Sequence, residues 1–181
     1  MDKVQLFYRD ISEISGSNGF SVVRLTDVNA QRAVCVICDK AMSDQLAIRY
    51  NRMPGRHQML PEVLLQMMAD EGLGSLELDV NDFVDGRYQV NLFNRRLRTM
   101  KPIRMSDAVL LHYIARVPIY INEDLMYRLS SPYTSNAYSI SIPISALETE
   151  HLNRELQKAI EEEDYRLASH LHEELERRKK K

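Results

Sequence analysis

Cysteine is scarce: two residues in a chain of 181, too few for a disulfide framework. Long apolar runs are missing as well, and none approaches the ~18 residues of a membrane span. The opening, Met1-Asp2-Lys3-Val4-Gln5, carries charges where a secretory signal has an apolar stretch. The expected location is therefore the cytoplasm, with no membrane partner. A strong net charge is also lacking. There are 24 Lys+Arg against 26 Asp+Glu, a formal −2, so the chain as a whole is not an obvious polyanion binder. No glycine-rich phosphate loop, His-Glu-x-x-His pair or Ser–His–Asp order cue is present, nor any internal repeat. What remains is 44% hydrophobic and 28% charged, the balance of a soluble globular protein.

The distribution of charge says more than its sum. Residues 1–128 hold 16 basic and 16 acidic side chains, and residues 129–181 hold 8 and 10. Inside the neutral part, the stretch from Arg87 to Arg104 carries Arg87, Arg95, Arg96, Arg98, Lys101 and Arg104 and no acid.

Periodicity divides the chain. Val4, Leu6 and Tyr8 alternate with other residues as in a strand, and Phe20–Leu25 and Arg32–Cys38 are β-branched or apolar runs joined by a polar turn. Ser43 is placed to cap a helix ending near Tyr50. Pro61 suits the first turn of a second helix, Glu62 to Glu71, with Val63, Leu64, Met67 and Met68 as its core-facing side. Leu76, Leu78 and Val80 predict a strand, Asp85-Gly86 a turn, and Tyr88, Val90 and Leu92 a returning strand. Leu97–Ile103 follows. Ser106 is the expected cap of a helix over Asp107–Arg116, then come a strand at Pro118–Ile121 and a short helix at Glu123–Arg128. The Ser-rich stretch 129–144 reads as a linker with one short extended piece at Tyr138–Ile142. Ser145-Ala146-Leu147-Glu148 has capping-box spacing. Two amphipathic segments after it, broken at Glu161–Asp164, predict an antiparallel helical hairpin. The expected architecture is α+β: a mixed sheet of several strands packed with three helices over 1–128, a linker over 129–144, and a helical hairpin over 145–181.

The stretch Pro102-Ile103-Arg104-Met105-Ser106-Asp107-Ala108-Val109, with Ala115-Arg116-Val117-Pro118-Ile119-Tyr120-Ile121 after it, resembles the bifunctional nuclease domain family. That family shows a D-x-R-P-S-D-A-I helix start and a following a-P-I-y-V strand. The Arg32–Cys38 strand with its helix, and Asp85-Gly86-Arg87-Tyr88, resemble further parts of it. The resemblance covers roughly 1–128 and implies a metal-dependent nuclease, with magnesium or manganese as the divalent cation, acting on DNA or RNA in a self-associating protein. It also marks departures. The family's R-P-x-T-H-D motif is Arg56-His57-Gln58-Met59-Leu60-Pro61-Glu62 here. Pro61 aligns with the histidine, Glu62 with an acid, Met42 with a helix acid and Met105 with the motif's proline. The C-terminal segment is similar to the UVR motif of excision-repair proteins B and C, a helical hairpin for protein contact. Leu152, Leu156, Ile160, Tyr165, Leu171 and Leu175 are the partner-binding candidates that this likeness implies.

Arg104, Ser106 and Asp107, with Glu62, are thus the candidate catalytic set. A helix N-terminus offers free amides to a phosphate, arginine a fork, and aspartate a ligand for a divalent cation. Asp107 and Asp79 are the candidate metal ligands; Asp82 and Asp85 are weaker ones that serve equally as turn residues. Equally, Arg104 and Asp107 pair to fix the helix entry. Arg87, Arg95, Arg96, Arg98 and Lys101 are the candidate nucleic-acid contacts, with Tyr88 and Phe93 interleaved for stacking; a solvated hairpin balanced by acids is the alternative. The ribbon and the helix opening are expected to form one phosphate pocket. Cys35 and Cys38, three apart on a strand, point to opposite faces and read as core. Two functions stay open: a nuclease, and a catalytically inactive adaptor that self-associates and docks a partner through its hairpin.

Overall fold

The β-branched runs sit at the centre of the sheet. In the computed structural model, which describes residues 2–14, 19–134, 147 and 149–179, β2 (Ser21–Thr26) is buried along its whole length and β3 (Arg32–Cys38) nearly so. Strands covered on both faces need apolar side chains at successive positions, which is why Val22-Val23 and Val34-Cys35-Val36 do not alternate. The other strands are β1 (Lys3–Glu13), β4 (Leu76–Val84), β5 (Arg87–Asn94), β6 (Thr99–Ile103), β7 (Ile119–Asn122) and β8 (Ser130–Pro132). They form one sheet in the order β6-β5-β4-β7-β1-β2-β3-β8. β4 and β7 run parallel; β1 is antiparallel to both β7 and β2. The fold is α+β with a mixed sheet, as the sequence predicts.

β1 belongs to two half-sheets. Lys3–Leu6 pair with β7, and Phe7–Glu13 pair with β2. The register slips between Tyr8 and Asp10, so Arg9 is an extra residue, and such a bulge bends a strand. The halves then face each other: the Tyr88 hydroxyl of β5 donates to the Cys35 carbonyl of β3 at 3.0 Å. Tyr88 is thereby turned inward and not available to stack on a base. Leu6, Val22, Val23, Leu25, Leu78, Ile119 and Ile121 fill the interior, each contributing about 1.5–3 kcal/mol by burial.

Helices α1 (Lys40–Tyr50), α2 (Leu60–Gly72), α3 (Met105–Ala115) and α4 (Glu123–Leu129) accompany the sheet, with 3-10 turns at Arg56–Gln58 and Leu73–Ser75. α1 starts three residues before Ser43. Asp39, directly after β3 and still extended, accepts from the Met42 amide at 2.8 Å and is the cap; Ser43 sits in the first turn and donates to the Asp39 carbonyl. α2 turns the stripe of Leu60, Val63, Leu64 and Met67 outward, so the expectation of Val63, Leu64 and Met67 as core is reversed. The buried side of the helix carries Leu65 and Glu62 instead, the latter locked to Arg49 of α1. α3 starts at Met105 with Arg104 as its cap residue and no side-chain capping bond, so Ser106 is the second helical residue rather than the cap. The segment expected as linker begins inside the sheet. Ser130–Pro132 pair with Arg32–Val34, and the Arg32 guanidinium donates to the Ser130 hydroxyl and carbonyl. Its polar composition suits an edge strand, which pairs through backbone and needs no apolar face. The extended piece at Tyr138–Ile142 and the capping box at 145–148 (Leu147 apart) lie outside the described residues.

The chain divides into two units, Met1–Asp82 with Tyr88–Ser135, and Phe83–Arg87 with Asn136–Lys181. In the second, α5 (Thr149–Glu161) and α6 (Tyr165–Lys179) pack on each other. They run antiparallel, because Arg178 near the end of α6 donates to Thr149 at the start of α5. Asp164 caps α6 by accepting from the Leu167 amide. Ala159, Ala168, Leu171 and Leu175 are buried.

Candidate functional site

β6 is the edge strand of its half-sheet and leads directly into α3. Pro102 keeps the chain extended and Arg104 remains so, at φ −68° and ψ 146°, before the helix begins. The opening of α3 is accessible: the Arg104 side chain is 80% exposed and Asp107 39%. The two form a fork, Nε to Oδ2 at 2.7 Å and Nη2 to Oδ1 at 3.0 Å. Ser106 is half-buried beside them. With no side chain capping α3, the first-turn amides are left to water or a ligand. Three features suited to an anion therefore meet here: a guanidinium, a hydroxyl and a helix N-terminus.

The basic ribbon is arranged differently from the expectation. Arg95, Arg96 and Arg98 stand exposed in the β5–β6 turn, and Lys101 is exposed on β6. Strand geometry puts Arg98 about 20 Å from Arg104, at the other end of β6. Turn and helix opening therefore do not share one phosphate pocket; they mark the two ends of one edge strand. Arg95 also donates to Glu77 at 2.5 Å, so this cation is balanced by an acid of β4. Arg87 is exposed at the start of β5 and belongs to the second unit.

The carboxylates expected to gather are committed separately. Asp79 accepts twice from Lys3 Nζ, at 2.6 and 2.7 Å. Glu62 is buried and takes both bonds of an Arg49 fork, each 2.7 Å. Asp85 occupies the β4–β5 turn at φ 51°, followed by Gly86 at φ 80°, the two left-handed positions such a hairpin turn requires. Among the described residues no three of His, Cys, Asp and Glu converge as metal ligands. Asp107 and Asp79, the two expected metal ligands, are instead each held by a cation, Arg104 and Lys3.

Two features stand outside the expected catalytic set. His112 of α3 is buried, its Nδ1 2.9 Å from the Val117 carbonyl and its Nε2 accepting from the Tyr8 amide at 3.3 Å. Burial holds its pKa below the ordinary 6.5. A cleft of about 590 Å³ opens between β1 and α1, with Tyr8, Arg9, Asp10, Asp44 and Tyr50 in its lining. Burial pushes the Tyr8 hydroxyl up to about 12. The bulge at Arg9 presents this stretch of β1 to the cleft, and a bulge leaves no mark in hydropathy. Cys35 and Cys38 are buried free thiols, as the pattern predicts, and burial pushes Cys38 up to about 12.

Compared with known families, residues 23–134 match the model of the bifunctional nuclease domain, more than half of the chain. The chain belongs to the bifunctional nuclease domain family. No curated protein matches it. The match runs from β2 to the residue after Tyr133 and so contains α1, α2, the β5–β6 ribbon and the α3 opening. In this bifunctional nuclease domain, Met42, which stands where the resemblance places a helix acid, is a buried core residue of α1, and Pro61 lies in the first turn of α2.

In the second unit the six partner-binding candidates separate. Leu152, Leu171 and Leu175 are buried and Leu156 is half-buried, whereas Ile160 in the last turn of α5 and Tyr165 at the start of α6 are exposed, as is Leu167 in the first turn of α6. Among the described residues no helix is long and apolar enough to cross a membrane.

Proposed function

We propose that this domain seats a backbone phosphate of DNA or RNA at the opening of α3 and hydrolyses the adjoining phosphodiester bond. The carrying observation is the exposed fork of Arg104 and Asp107 on an uncapped helix start, inside the segment that matches the nuclease domain. A phosphate is an anion like Asp107 and competes for the same two guanidinium donors. Once the phosphate takes Arg104, the Ser106 side chain and the α3 amides complete its ligation. Asp107 is then released as an acceptor for the proton of an attacking water. That water forms a new P–O bond while the ester P–O bond breaks, and the leaving oxygen takes a proton from solvent. Lys101 and the β5–β6 arginines extend the contact along the strand, giving affinity without base readout.

The test is incubation of pure protein with labelled single-stranded DNA and RNA, with magnesium, with manganese and with chelator. Cleavage by the wild type, reduced at least about 100-fold in Asp107→Asn as befits a lost general base, supports the reading. Wild-type cleavage no greater than that of Asp107→Asn discards it.

The pairing of Glu62, Asp79 and Asp107 with cations favours one second reading, a catalytically inactive adaptor. There the α5–α6 hairpin acts as a UVR-type docking element, and its contact surface is the exposed set Ile160, Tyr165 and Leu167 at the helix turn.

A further inference from the structure

The cleft between β1 and α1 lies within the first unit, and the phosphate reading makes no use of it. At about 590 Å³ it has the volume of a small-molecule site. Ile11 of β1 and Leu46 and Ala47 of α1 give it apolar walls. Tyr8 and Tyr50 add aromatic rings, the first braced edge-to-face by Tyr113 with centroids 5.0 Å apart. Ser21 of β2 also lines the cleft and is only 2% exposed. Among the described residues no hydrogen bond engages the Ser21 hydroxyl or that of Tyr8, so both are open to whatever enters.

The charges of the lining are one-sided. Glu13 of β1 and Asp44 of α1 stand exposed, one carboxylate from each wall. Lys40 comes only within 3.4 Å of Asp44, an exposed pair that holds little and exchanges readily. Asp10 is committed to Arg24, whose fork takes both its oxygens at 2.6 and 2.7 Å. Arg9 donates its Nε to the Thr26 hydroxyl of β2 at 2.7 Å. An anion would thus meet three carboxylates for one guanidinium, and the cleft favours a cation. Among the described residues no three of His, Cys, Asp and Glu converge as metal ligands, so the acids suit an extended cation rather than a single ion.

We propose that this cleft binds an aliphatic polyamine, with one ammonium group at Glu13, another at Asp44 and the methylene chain along Ile11, Leu46 and Ala47. Each part of such a ligand has its counterpart. An ammonium group carries three donors and no acceptor, and the carboxylates and the Ser21 and Tyr8 hydroxyl oxygens accept. Tyrosine faces attract a cation. The methylenes leave water against the apolar walls. The inference does not rest on the nuclease reading, since the lining shares no residue with the α3 opening.

Calorimetric titration of the full chain with spermidine at about 150 mM salt, which screens long-range attraction, tests it. The wild type is expected to bind, and the double variant Glu13→Gln, Asp44→Asn at least about 10-fold more weakly. Ala47→Trp alters no charge and sits at an exposed helix position. It is expected to abolish binding by filling the cleft, with unchanged far-ultraviolet circular dichroism. n-Pentylamine, with one ammonium group, is expected to bind at least about 10-fold more weakly than spermidine. No binding of spermidine below about 1 mM overturns the assignment. So does binding that Ala47→Trp or the double variant leaves unchanged, which is general attraction to an acidic surface, or pentylamine that binds as tightly as spermidine.

Discussion

His112 couples the helix of the candidate site to the acidity of its surroundings. Its ring bridges the Tyr8 amide and the Val117 carbonyl, which requires one protonated and one bare nitrogen. A second proton would set Nε2–H against the Tyr8 N–H, inside a region that penalises charge. Burial therefore holds the folded pKa below the ordinary 6.5, while the unfolded chain titrates near it. As pH falls through about 6.5, the unfolded state binds its proton first and folding stability declines. The stabilisation is complete above that value and is lost towards the lower folded pKa. Urea midpoints at pH 7.5 and 5.5 are expected to fall in the wild type and to fall less in His112→Gln; equal declines would contradict the bridge. Its partners are not legible in sequence, because a histidine among apolar neighbours on a helix does not reveal which carbonyl or amide another element will bring to it.

At the scale of elements, Arg49 and Glu62 brace α1 against α2 with two parallel bonds in a place nearly without solvent. Removing one partner of such a pair strands the other charge, typically at about 3–5 kcal/mol. Glu62→Gln is therefore expected to lower unfolding free energy by an amount of that order. A loss below about 1 kcal/mol, in the range of an exposed pair, would deny the brace. The resemblance had offered Glu62 as a catalytic acid, and only three-dimensional pairing shows its structural work. Other elements were legible. β3 is Arg32–Cys38 in sequence and in structure because its β-branched run admits no other reading. α1 begins four residues before the expected start because Asp39 and Ser43 are both good caps, and the choice falls to whichever the preceding strand delivers in an extended conformation. β8 was read as linker because backbone pairing to Arg32–Val34 leaves no trace in hydropathy. For the candidate site, residue types and the helix start at 104–107 were legible from the motif. The separation of the arginine turn from it was not, since six basic residues in eighteen say nothing of which end of a strand they occupy.

At the scale of the whole molecule, the sheet, the exposed end of β6 into α3 and the outward stripe of α2 give one domain two surfaces with different chemistry, one cationic and one apolar. The central claim concerns the first: a nucleic-acid phosphate lies between Arg104 and the α3 amides. Its most direct measurement is the binding of labelled single-stranded DNA, followed by fluorescence anisotropy across a salt series, for the wild type and Arg104→Gln. Each phosphate contact on a single strand contributes about 0.7 to the slope of log affinity against log salt. A wild-type affinity that weakens with salt, and a slope shallower by about that amount in Arg104→Gln, is the predicted result. Identical affinity and slope in the two proteins would contradict it.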